Sequence, residues 1–123
     1  MRTLDDIHPA AAAAMERFHA DTLAEVKAAV AKDAFVVVGM AWNPSCKKAR
    51  RLLEGAGKPH TYLEYGNYLS GWRQRLSIKL WSGWPTFPQV FVNGQLVGGA
   101  SDLKALMDRG EFETLVAKGR RAS

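Results

Sequence analysis

The sixteen residues from Trp84 to Gly99, W-P-T-F-P-Q-V-F-V-N-G-Q-L-V-G-G, leave this chain few folds to choose from. Gln89 to Asn93 is rich in β-branched and aromatic residues, Asn93-Gly94 is the strongest short hairpin signal, and Leu96-Val97 returns as a second strand. Pro88 stands directly before the first strand. Only proline accepts a cis peptide bond readily, and such a bond there would turn the Phe87 backbone outward. Gly98-Gly99 leads into Ala100, Ser101 and Asp102, where a helix can begin with free amides directed at an anion.

The rest of the chain alternates helix and strand. Pro9 predicts the first turn of a helix running to about His19, and Thr22-Leu-Ala-Glu25 predicts a fresh start by a capping box. Leu23, Val26, Ala29 and Val30 would be the apolar stripe of that second helix. Phe35 to Val38 is a continuous apolar run suited to a buried strand, followed by a loop from Gly39 to Trp42. Asn43 then Pro44 pairs a preferred N-cap with a preferred first helical residue, so a helix is expected from Pro44 to about Glu54. A strand at 61–65, a helix from Gly71 to about Trp81, and two short helices at 101–108 and 111–118 complete the order.

With 123 residues the chain suits one domain, since single domains commonly span about 100 to 150 residues. We expect a helical extension at 1–20, a main domain at 21–119 and a basic tail at 120–123. The formal charge of +5 is spread out, apart from Lys47, Lys48, Arg50 and Arg51 and the tail from Lys118 to Arg121. Without a groove-reading motif these clusters read as solvated faces rather than a nucleic-acid site. No apolar stretch approaches the roughly 20 residues of a membrane span, and Ala10 to Ala14 reads as helix rather than signal sequence. One cysteine, Cys46, rules out an internal disulfide framework and fits a reducing cytoplasm. His8, His19 and His60 share no ligand spacing with Cys46 that would suggest zinc.

The run from Trp84 to Asp102, together with Arg75, Lys79 and the Trp81-Ser82 pair upstream, resembles the second half of a monothiol glutaredoxin, over roughly residues 22 to 118. The resemblance implies a thioredoxin-like α/β fold: a four-stranded mixed sheet flanked by helices, here with an extra N-terminal helix. Strands 35–38 and 61–65 would be parallel, joined by a right-handed crossover through the helix that starts at Pro44. The active corner would lie at the carboxyl end of the first strand, beside Asn43 and the loop at Phe87.

The family writes that corner as C-P-Y-C or C-G-F-S, whereas this chain writes Asn43-Pro44-Ser45-Cys46. One alignment makes Cys46 the nucleophile, but Lys47-Lys48-Ala49 then replaces G-F-S and the helix becomes a turn too short. The other, preferred because it needs no gap from Val37 to Gly57, puts Asn43 at the nucleophile position and leaves Cys46 where dithiol members keep their resolving cysteine. An amide cannot attack a disulfide. Cys46, near the positive end of the helix and flanked by lysines, is either a reactive thiolate or a small buried helix residue.

By the same resemblance Phe87, across Pro88, would meet the cysteinyl part of glutathione. Gly99, Ala100, Ser101 and Asp102 would hold the γ-glutamyl end, and Lys79 with Arg75 the glycyl carboxylate. The family's lysine near the cysteine loop has no counterpart, since Met40 or Ala41 stands there. Family members also bridge two subunits with a two-iron two-sulfur cluster, for which Cys46 is the one available thiol ligand here. The expected activity is glutathione-dependent thiol-disulfide or iron–sulfur chemistry, acting on a client protein or within a homodimer. The alternative is a binding module that keeps the fold without catalysis.

Overall fold

The computed structural model describes residues 8–119. Nine elements follow one another: α1 Pro9–Lys32, β1 Phe35–Gly39, α2 Pro44–Gly55, β2 Thr61–Glu64, α3 Trp72–Ser82, β3 Gln89–Val92, β4 Gln95–Gly98, α4 Ala100–Asp108 and α5 Glu111–Lys118. The strands form one sheet in the order β2-β1-β3-β4, with β1 parallel to β2 and antiparallel to β3, and β3 antiparallel to β4. This is the thioredoxin-like arrangement that the resemblance implies.

All five residues of β1 are buried, as a central strand covered on both faces requires. Val36 and Val38 point into a core with Val26 and Val30 of α1 and Ile78 of α3. Phe35 and Val37 point into a second core with Ala49 and Leu53 of α2, Leu103 of α4 and Phe112 of α5. At the hairpin, Asn93 and Gly94 have φ of 50° and 83°, the paired left-handed residues of a two-residue turn.

One expectation fails. The two helices read at Pro9–His19 and from Thr22 are a single 24-residue helix. The capping-box residues serve tertiary bonds instead: Thr22 Oγ1 accepts from Gln74 Nε2 of α3 at 3.0 Å, and a Glu25 oxygen accepts from the Tyr65 hydroxyl. Neither glycine nor proline separates His19 from Thr22, so nothing interrupts the helical backbone. The expected boundary after residue 20 falls inside α1. The first seven residues of the expected extension and the expected tail at 120–123 lie outside the described residues.

Candidate functional site

Helix α2 begins as its sequence predicts. Asn43 has extended backbone angles, its side-chain Oδ1 accepts from the Ser45 N–H at 2.9 Å and the Cys46 N–H at 3.1 Å, and Pro44 occupies the first turn. The neutral amide therefore sits where the unpaired amides of this helix end converge, a place at which other proteins stabilise an anion. The residue before it, Trp42, is 60% exposed and held at a left-handed φ of 65°. Such an angle is uncommon for a bulky side chain.

Cys46 is only 1% exposed. Its thiol fills space that exists because residue 39 is glycine: a Cβ there would lie 2.8 Å from Cys46 Sγ and 3.0 Å from Tyr62 Cε1. Burial pushes the thiol pKa up, the nearby Glu64 charge adds to the rise, and a backbone hydrogen bond from Met40 opposes it. Reactive cysteines show the opposite pattern, exposure with a depressed pKa. Beside the thiol, Tyr62 donates to Glu64 Oε1 at 2.9 Å while the Arg50 guanidinium lies 4.1 Å from its ring centroid. Arg50 also donates from Nε to His60 Nε2 at 3.3 Å. Arg50 is thus engaged with β2 and its approach, whereas Lys47, Lys48 and Arg51 are exposed. Tyr62, Glu64 and Met40 were not legible as neighbours of Cys46; the one available signal was Gly39, closing an otherwise β-branched strand.

The second half of the site lies across the β1–β3 ladder. The register pairs Val38 with Gln89, so Pro88, joined to Phe87 by a cis peptide bond, follows on directly opposite the end of β1. Phe87 lies outside the ladder. A Cβ on Gly99 would come 3.6 Å from the Pro88 carbonyl oxygen, which brings the Gly98-Gly99 corner against the proline. Gly98 has a φ of 111°, and a Cβ there would meet Asp102 Oδ2 at 2.7 Å. That carboxylate oxygen accepts from the Gly99 N–H at 2.9 Å and orders the start of α4. Ala100 and Ser101 open α4 with no side-chain cap over the helix start, and Ser101 and Asp102 are exposed. Lys79 Nζ lies 5.7 Å from the Phe87 ring centroid, within reach of a cation–π contact. Pro88, at the entrance to β3, and Gly99, where β4 passes into α4, thus come together beside the end of β1, with Lys79 reaching the Phe87 ring from α3.

Arg75 does not join them. It is 8% exposed, and its Nη1 donates to the carbonyls of Tyr65 at 2.9 Å and Ser70 at 2.8 Å. Its charge fastens the loop after β2, and this replaces the expected pairing with a ligand carboxylate. The sequence concealed this because Arg75 and Lys79, one turn apart, differ only in how far the helix rotates each toward the loop.

A family model described as Glutaredoxin matches residues 35–97, which carry the sheet, α2 and α3. The chain belongs to the glutaredoxin family. It is 45% identical over 105 residues to a Glutaredoxin-like protein of Dictyostelium discoideum, covering 85% of each chain. A 42-residue stretch is 48% identical to a Probable monothiol glutaredoxin 2 of Rickettsia typhi, covering 34% of this chain and 38% of that one. The buckwheat glutaredoxin–glutathione complex superposes with a TM-score of 0.74 over 84% of this chain and 94% of its own, at 19% identity, a likeness of fold.

For a glutaredoxin-family chain the residues present do not suit an iron–sulfur cluster. Such clusters are held by thiolates. Cys46, the chain's single thiol, is 1% exposed and packed against Gly39 and Tyr62, so it is not presented to a cluster at the surface. Among the described residues, no helix is long and apolar enough to cross a membrane.

Proposed function

We propose that this chain binds glutathione non-covalently and performs no thiol-disulfide step at the bound tripeptide. The observation that carries the reading is the burial of Cys46, 1% exposed against Gly39, behind a helix start that Asn43 caps with a neutral amide. Asn43 supplies no electron pair able to attack a sulfur, so the position that would carry a nucleophile becomes a hydrogen-bonding one. Its Nδ2 is left to donate toward a ligand.

The cradle supplies complementary charges for each end of the tripeptide. The backbone N–H groups of Ala100 and Ser101 would donate to the γ-glutamyl carboxylate, and the Asp102 carboxylate would accept from its ammonium. The Phe87 backbone would pair with the cysteinyl backbone, and Lys79 with the glycyl carboxylate. The buckwheat relative in its glutathione complex supports the ligand class. A single buried thiol also suits residence in a reducing cytoplasm.

Calorimetry with reduced glutathione, combined with amide chemical-shift mapping, tests the cradle. One-to-one binding with shifts at Phe87, Ser101 and Asp102 is expected, and neither heat nor shifts would leave the fold without this ligand. Mass spectrometry after native treatment with oxidised glutathione tests the chemistry. The chain should stay unmodified, and an adduct on Cys46 would restore a redox role for that thiol.

A further inference from the structure

Among the described residues six large hydrophobic side chains are strongly exposed, and five of them lie between Tyr68 and Leu80. Leu69 is 84% exposed, Tyr68 60%, Trp72 57%, Leu80 52% and Leu76 40%. Trp72, Leu76 and Leu80, each four residues from the next, share one face of α3, and Leu69 stands on the turn just before it, while Arg75 and Ile78 take the buried side of the helix. Singly exposed leucines are ordinary; a contiguous stripe of this kind marks a surface that another molecule covers.

The end of the stripe is held out into solvent by bonds. Asn67 Oδ1 accepts from the Leu69 N–H at 2.7 Å and the Ser70 N–H at 3.0 Å, and Arg75 clamps the Tyr65 and Ser70 carbonyls from below. Leu69 is thus presented on an ordered turn, which lowers the entropic cost of seating a partner on it. The rim is cationic. Arg73 is exposed with its guanidinium 5.2 Å from the Trp72 ring centroid, and Lys79 flanks the far end. No aspartate or glutamate occurs from Tyr65 to Ser101. On α1, which packs against α3, Glu25 is taken up by the Tyr65 hydroxyl.

We infer that the outward face of α3 is a docking surface for an acidic amphipathic helix of a partner protein. Leucine-type anchors of that helix would lie along Leu69, Trp72, Leu76 and Leu80, and its carboxylates would meet Arg73 and Lys79. Charge complementarity selects this occupant. A second copy of the chain, paired face to face, would set Arg73 and Lys79 against their own equivalents with no carboxylate between them. Two flanking cations also fall short of the run of about four to eight that binds anionic lipid. Lys79 belongs both to this rim and to the Phe87 side of the cradle, so a docked partner would lie beside the ligand site.

The test uses the full chain, labelled with nitrogen-15, and an 18-residue peptide with leucines at helical spacing and glutamates elsewhere. Amide shifts confined to 68–80 are expected. Affinity should exceed that for the same peptide with lysines in place of glutamates by at least tenfold, and Arg73→Glu should abolish the preference. Trp72→Ser with Leu76→Ser should lose the peptide while keeping the melting temperature and the glutathione titration of the parent chain. Equal affinity for both peptides, or shifts elsewhere, would overturn the inference. So would tighter binding to phosphatidylglycerol vesicles, a dimer abolished by Trp72→Ser, or coverage of the face by residues 1–7, seen as peptide binding only after their deletion.

Discussion

Asn43 and Cys46 are tied by a side-chain-to-backbone hydrogen bond of 3.1 Å, in which the amide oxygen caps the N–H of the very residue whose thiol faces away into the sheet. The two residues share the work of starting α2. The cap makes the helix start self-sufficient, and the packing against Gly39 keeps the thiol from solvent.

Removing the cap should cost stability and little else. Asn43→Ala is expected to destabilise the fold by about 1 kcal/mol, seen as a few degrees in thermal unfolding, whereas Asn43→Asp should retain most of the capping energy. Asn43→Cys would place a thiol at the exposed helix start and should acquire a glutathione adduct on treatment with oxidised glutathione. Failure of that variant to react would show that the corner is closed for reasons beyond the missing thiol.

Gly39 and Cys46 should be coupled. Gly39→Ala forces a methyl to 2.8 Å from Sγ and 3.0 Å from the Tyr62 ring, an overpacking expected to cost about 1 to 3 kcal/mol. Combined with Cys46→Ala, which removes one of the two clashes, the loss in urea unfolding should be less than the sum of the single losses. Strict additivity would mean that the thiol and the strand do not compete for this space.

Alkaline pH should unfold the chain by a route that passes through Cys46. Burial holds the Cys46 thiol and the Tyr62 and Tyr65 hydroxyls above their ordinary values of 9.0 and 10.0. Such groups hold their protons more tightly when folded, so their contribution is complete below the unfolded value and disappears as pH rises through the folded one. The urea midpoint should be level to pH 8, fall from about pH 9 and fall further above about pH 10 as the tyrosines follow. Cys46→Ala should remove the first part of that fall.

Lys79 and Arg75, one turn apart on α3, should separate cleanly. Lys79→Ala is expected to weaken glutathione binding about tenfold with an unchanged melting temperature, the loss of one charge-assisted pair. Arg75→Met leaves the Tyr65 and Ser70 carbonyls without their buried donor and should destabilise by about 2 to 3 kcal/mol. Calorimetry and thermal unfolding on the two variants read these effects independently.

Local rules were enough for much of this molecule. Asn43 and Pro44 start a helix, Asn93-Gly94 closes a hairpin and β1 reads as buried, because caps, turns and apolar runs act over a few residues and are written in consecutive letters. The closeness of Pro88 to Gly99 was legible for the same reason: one nearly continuous segment carries both. What the tertiary structure alone decided concerns partners distant in the chain. Thr22 and Glu25 look like a cap until Gln74 and Tyr65 draw their side chains away, and α1 runs through. Arg75 looks like a ligand-pairing cation until the loop carbonyls claim it. Cys46 is written in the same letter whether reactive or inert; only its packing against Gly39 and Tyr62 determines which, because desolvation depends on neighbours that the sequence leaves far apart.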